Sequence, residues 1–252
     1  MKRADLERFA ALTAWLGVWQ LVKWLGPWPD YVLPSPLAVL ASVRDGILGG
    51  TLPRAVLTSL LRLVIGYGLA SAAGVLLGIG MGRSALLERS VGTLLTGLQS
   101  LPSICWMPLA LLWFGLNERA ILFVVVIATL GTVALAVRDA VLGVPRLWLR
   151  AARSMGERGP RLWWRVILPA TLPGTLSALR IGWSFAWRAL MAGELLFVAG
   201  GLGQVMHVGR ELNDMPQVMA GMLVIVVLGL LFDHGLLGVL ERRTRRRWGL
   251  AE

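Results

Sequence analysis

Five charged residues stand inside otherwise apolar stretches of this chain: Arg62, Arg180, Arg188, Glu194 and Asp233. A charge in a hydrocarbon environment is costly, so it faces a bundle interior or water, or pairs with another group. A helical rise of about 1.5 Å per residue puts Arg180 and Asp233 at similar depth in their stretches. The same measure puts Arg62 and Glu194 together near the opposite end. Two ion pairs are expected, Arg180–Asp233 and Arg62–Glu194. The other reading makes Arg62, Arg188 and Glu194 the lining of a path for a charged solute. Arg188 lies nearest the middle and has no acid four residues away on its own helix. Its planar fork of donors suits an oxyanion; bracing the carbonyls of neighbouring helices is the plainer role.

Covalent chemistry has little to draw on. His207 and His234 are the two histidines, Cys105 is the lone cysteine, and none has metal-ligand spacing to another. Gly182-Trp183-Ser184-Phe185-Ala186 has the outline of a nucleophile turn. It lies in an expected helix, and neither histidine reaches the depth of Ser184. Lys2 and Lys23 are the only lysines, and neither follows a glycine-rich loop, so no phosphate-binding loop is present. No catalytic or metal-ligating residue and no cofactor site is expected on this chain.

The elements that must carry these charges are membrane helices. Of 252 residues, 56% are hydrophobic and 15% charged, and mean hydropathy is +0.70. A soluble domain has about 25% charged residues. Crossing a bilayer takes about 20 apolar residues. Six stretches qualify or nearly so: Phe9–Leu25, Leu57–Met81, Thr93–Gly115, Ala120–Val141, Leu172–Ala199 and Gln217–Leu240. Pro102 and Pro108 should kink the third or delay its start. With the N-terminus inside, seventeen of the 25 Lys and Arg fall on inner segments and four on outer ones. That bias supports six spans with both termini cytoplasmic. The net charge of +11 therefore serves topology, and nucleic acid is not an expected partner. The first stretch is followed by Gly26-Pro27-Trp28-Pro29, with no small-x-small cleavage site, and is read as a retained helix.

Between spans, Ser35 can cap an interfacial helix near Leu37–Leu48 with Pro36 at its first position. Gly66, Ala70, Gly74, Gly78 and Gly82 recur every four residues on the second span. Such a stripe lets another helix approach closely. The long inner loop runs Leu149-Arg150-Ala151-Ala152-Arg153-Ser154-Met155-Gly156 and then Arg161-Leu162-Trp163-Trp164-Arg165-Val166-Ile167-Leu168-Pro169. Ala151 to Met155 reads as a short helix, stopped at Gly156 and again at Gly159-Pro160. An amphipathic helix lying on lipid is the plainer reading of this loop.

That loop resembles the signature of permease subunits of binding-protein-dependent ABC importers: Glu-Ala-Ala, three residues, Gly, nine residues, Ile-x-Leu-Pro. Ala151 and Ala152 match the alanines, Gly156 the glycine and Leu168-Pro169 the ending; Val166 stands for isoleucine and Arg150 for the acid. Leu33-Pro34-Ser35-Pro36, Leu112-Trp113-Phe114-Gly115, Gly193-Glu194 and Gly201-Leu202-Gly203 are similar to the nitrate/sulfonate/taurine/bicarbonate group. The resemblance implies an all-α fold of the type I importer permease kind, a single transmembrane permease domain over residues 1–252 with its cytoplasmic coupling loop at 143–171. It implies a bacterial or archaeal inner-membrane location, a second copy of the permease, ATPase subunits holding ATP and Mg, and an external solute-binding protein. Arg150, Ala151, Ala152, Arg153, Ser154, Met155 and Gly156 would then dock on the ATPase, and the solute would be a small anion such as a sulfonate, nitrate or bicarbonate. A channel or secondary carrier, or an intramembrane enzyme, is the alternative.

Overall fold

Helices begin where the sequence offers a cap and end where glycine or proline interrupts. The structure, a computed structural model, describes residues 3–196 and 200–247. Helix α1 spans Arg3–Leu25. The Trp19 indole donates to the Pro34 carbonyl at 3.1 Å, and the Lys23 ammonium sits 2.9 Å from Asp30. These contacts tie the proline-rich segment back to α1. Helix α2, Pro36–Leu48, starts as expected: the Ser35 hydroxyl accepts from the Ala38 amide at 3.2 Å, and Pro36 opens the first turn. Helix α3 runs over Thr51–Arg83.

The third expected span is broken. Helix α4, Ala85–Gln99, and helix α5, Ser103–Phe114, meet at 98°. Pro102 has no amide hydrogen to continue α4, and the Ser100 and Leu101 amides turn back onto Gly97 and Leu98. Helix α6, Glu118–Leu142, opens on Asn117, whose side chain accepts from the Arg119 amide. Helix α7 covers Arg146–Ser154. Gly159-Pro160 does not stop a helix but starts one: Gly159–Leu162 leads through a π turn, Trp163–Ile167, into α8 over Leu168–Leu196. Proline is well suited to a first turn, where its missing amide costs nothing. The fifth expected stretch therefore begins before Leu172.

Helix α9 spans Leu202–Glu211 and α10 spans Met215–Leu230. Asn213, at φ +54°, closes α9: its amide bonds the Arg210 carbonyl, and the Asp214 amide the Gly209 carbonyl. The Asp214 carboxylate then caps α10 through the Gln217 amide. A π turn, Leu231–Leu237, leads on to α11, Gly238–Arg247. By length and apolarity α3, α6 and Met215–Asp233 can each cross a membrane, and the bent α4–α5 pair makes a fourth if it is one span. Helices α1 and α8 occupy the first and fifth expected stretches. Lys23 in α1, and Arg180, Arg188 and Glu194 in α8, dilute their apolar runs.

The described residues fall into two units, one of residues 3–59 and 200–227, the other of 60–196 and 228–247. In the second, α6 is the core. Val124, Val125, Val133 and Val137 are fully buried. The α3 stripe meets α6: a Cβ built on Gly74 would lie 3.0 Å from the Leu130 carbonyl, and one on Gly78 2.6 Å from the Ala134 carbonyl. Gly66 faces Val125, Gly82 faces Val141, and Ala70 is fully buried. Helix α8 closes on α6 with glycines of its own. A Cβ on Gly182 would stand 2.4 Å from Val133, and one on Gly174 2.5 Å from Ala140.

Candidate functional site

The loop that carries the strongest sequence signal forms a short helix with a defined end. Ala152 is buried and is the residue by which α7 seats. Leu147, Ala151 and Met155, four residues apart, are exposed, as are Arg150, Arg153 and Ser154. Gly156 has φ +87°. Its amide bonds the Arg153 carbonyl at 3.1 Å, and the Glu157 amide bonds the Ala152 carbonyl at 3.0 Å. This paired closure requires a left-handed residue at position 156, which glycine adopts without a Cβ penalty. No atom lies within 4 Å of where a Cβ would stand, so the constraint within this chain is conformational, not steric. Past the turn, Glu157 pairs with Arg165 at 2.8 Å. Arg83, at the end of α3, lies over the Trp163 ring at 5.6 Å. The loop is thus anchored to α3 and continuous with α8.

Along α8 the charges form two layers. In one, the Arg62 guanidinium donates to Glu194 at 3.0 Å and also to Glu118. Glu194 is fully buried and Arg62 is 3% exposed. The pair is buried within this chain, whereas Arg188, grouped with both in the expected path, is exposed. In the other layer Arg180 grips both Asp233 oxygens at 2.9 Å and donates to Glu241 at 3.0 Å. The Ser177 hydroxyl adds a 2.7 Å bond to Glu241. Both expected pairs are present. The third members, Glu118 and Glu241, were missed. Glu118 lies two residues before the fourth expected stretch, at the depth of Arg62, so depth counting could have found it. Glu241 lies one residue past the last expected stretch and was not weighed.

Arg188 lies between the layers, six residues from Glu194 and eight from Arg180. It is exposed; its Nε donates to the Ser184 carbonyl at 3.1 Å, and its guanidinium lies 4.5 Å from the Phe185 ring centre. No carboxylate pairs with it among the described residues. Phe185 also borders a cavity of about 270 Å³ beside the α4–α5 break. Within the other unit, a cavity of about 930 Å³ is bordered by α2, the first turns of α3, α9 and α10, and the side chains of Asp45, Arg54 and Gln204.

Residues 70–246 match the family model described as binding-protein-dependent transport system inner membrane component. The chain is 35% identical over 200 residues to an ABC transporter permease protein of Methanocaldococcus jannaschii, covering 79% of this chain and 75% of that protein. It is 30% identical over 238 residues to the taurine transport system permease protein TauC of Escherichia coli, covering 92% and 86%. Among solved structures, one titled as an inward-facing conformation of the MetNI methionine ABC transporter superposes with a TM-score of 0.67 at 21% identity, over 78% of this chain and 97% of that one. At that identity the likeness establishes the shared fold.

Proposed function

Since the chain belongs to the family of binding-protein-dependent transport system inner membrane components, we propose that two copies form the membrane path of an ATP-driven importer for a small oxyanion. ATP hydrolysis is assigned to partner subunits, which hold ATP and Mg, and delivery of solute to an external binding protein. The observation that carries the reading is the exposed α7 helix, closed by Gly156 and joined by the short Glu157–Arg158 link to Gly159–Leu162, which runs through the π turn into α8. Residues 150–156 dock on the ATPase. When two ATPase subunits close, the displacement of α7 passes along one connected backbone into the helix that carries Arg180, Arg188 and Glu194. The inner-loop arginines support a cytoplasmic side for this docking face.

The anion class rests on Arg188, which is exposed and has no acidic partner among the described residues, and on the taurine transporter relative, whose named solute bears a sulfonate. The measurement that tests the function is solute accumulation in proteoliposomes holding the permease, its ATPase and its binding protein. Uphill uptake that needs ATP and binding protein is expected. Flux that persists without ATP would instead support the channel or carrier reading.

A further inference from the structure

Two separate physical demands for water in the second unit share one neighbour, Phe185. The first is the α4–α5 break. Ser100 and Leu101 turn their amides back, and Pro102 has none, so carbonyls at the end of α4 lose their helical partners. Non-helical backbone at membrane depth is tolerated only where it is buried in protein or lines a water-filled cavity. Leu101 and Pro102 are exposed, and the 270 Å³ cavity opens beside them. The second demand is Arg188, an exposed cation inside a span with no acidic partner among the described residues, which lipid would not tolerate cheaply. Phe185 joins them: it borders the cavity and carries the guanidinium over its ring.

The wall is mostly apolar, with Trp106 and Phe185 as its aromatic members. Its polar groups are few. Gln99 donates to Thr132 at 3.0 Å, and Ser103 adds a hydroxyl. Gly131 makes room for that amide, since a Cβ there would come within 2.7 Å of Gln99 Nε2. Pockets for drug-sized ligands run to about 300–1,000 Å³, so this one takes a small solute. An apolar wall gives nothing to a bare inorganic ion but favours a short hydrocarbon body. The Arg188 guanidinium, which lies over the Phe185 ring that borders the cavity, offers paired donors to an oxyanion and repels a cation.

We propose that this cavity is the intramembrane solute site and holds a small organic oxyanion, its charged group at Arg188 and its aliphatic body against Phe185 and Trp106. The proposal rests on the anion importer reading above.

The test uses the complete reconstituted importer with ethanesulfonate, propionate, nitrate and glucose as probes. In a Cys105→Ser background, Ser103→Cys is exposed to a water-soluble methanethiosulfonate, with Thr132→Cys replacing it if assembly fails. Labelling that is slowed by ethanesulfonate or propionate, whichever is imported, is expected. Arg188→Gln should lower that uptake about tenfold or more while ATPase association persists, because a charge-assisted bond is lost. Arg188→Lys should recover part of it, keeping charge but not the planar fork. Import of glucose alone would overturn the anion reading together with the site. Import of nitrate but neither organic anion would leave the importer reading intact and overturn the solute class. Organic anion import with unprotected or absent labelling, or with normal uptake by Arg188→Gln, would overturn the site alone.

Discussion

Gly156 and Arg62 illustrate two kinds of constraint on a single residue. At Gly156 the backbone is left-handed in open space, and the cost of any other residue lies in φ. A non-glycine residue there pays roughly 1–2 kcal/mol. Gly156→Ala should therefore weaken ATPase association and coupled uptake, and Gly156→Asn should do so less, because asparagine visits this region more readily. Equal behaviour of Ala, Asn and Gly in a pull-down with the ATPase would remove the role of the turn. At Arg62 the constraint is charge. Removing one member of a buried pair leaves the other uncompensated, at a typical cost of about 3–5 kcal/mol. Arg62→Met removes the cation beside the fully buried Glu194 and should lower the melting temperature of the detergent-purified protein sharply. Glu118→Gln removes a carboxylate that is 62% exposed and should change it little.

At the scale of elements, α6 is held between glycines from two helices. Van der Waals attraction falls off within a fraction of an ångström, so close backbone approach is what makes such contacts count. Gly78 stands where a Cβ would reach 2.6 Å from a backbone carbonyl, which cannot rotate away. Gly78→Leu should cost at least the roughly 1–3 kcal/mol typical of overpacking and reduce the folded fraction seen by size-exclusion chromatography. Gly68, on the same helix but with nothing within 4 Å of its Cβ position, is the control, and Gly68→Ala should leave that fraction unchanged. If the two variants behave alike, the stripe does not anchor α3 to α6. The helical run from Gly159 through the Trp163–Ile167 π turn into α8 makes the other element-scale connection, with α7 joined to it across the Gly156 turn.

For the whole molecule, topology follows from where arginine is allowed to lie. Seventeen Lys and Arg on one set of segments against four on the other predict that α7 and α2 face opposite sides of the membrane. In intact cells with Cys105 replaced by Ser, a membrane-impermeant thiol reagent should label Ser42→Cys in α2 and spare Ser154→Cys in α7. The reverse pattern would invert the orientation and with it the side on which ATPase and binding protein are placed.

Depth and periodicity were legible in the chain alone. Rise per residue is nearly constant, so counting along each apolar stretch paired Arg180 with Asp233 and Arg62 with Glu194 before any packing was known. The four-residue stripe on α3, the Ser35 cap and the glycine closure of α7 are likewise local, set by helical periodicity and backbone conformation. Azimuth was legible only in part. The face of α8 that meets α6 carries Gly174, Ala178, Gly182 and Ala186, small residues four apart that the sequence reading did not single out. That Arg62 and Glu194 close on each other while Arg188 stays open is a property of rotation about the helix axis, not of position along it. The 98° break needed more than Pro102, since proline alone is compatible with a kinked but continuous span. Side-chain packing decides rotation and bending, and packing is shared among segments far apart in sequence. That is why the tertiary structure, and not the chain read in order, separated the charges paired with carboxylates from Arg188, which has no acidic partner among the described residues.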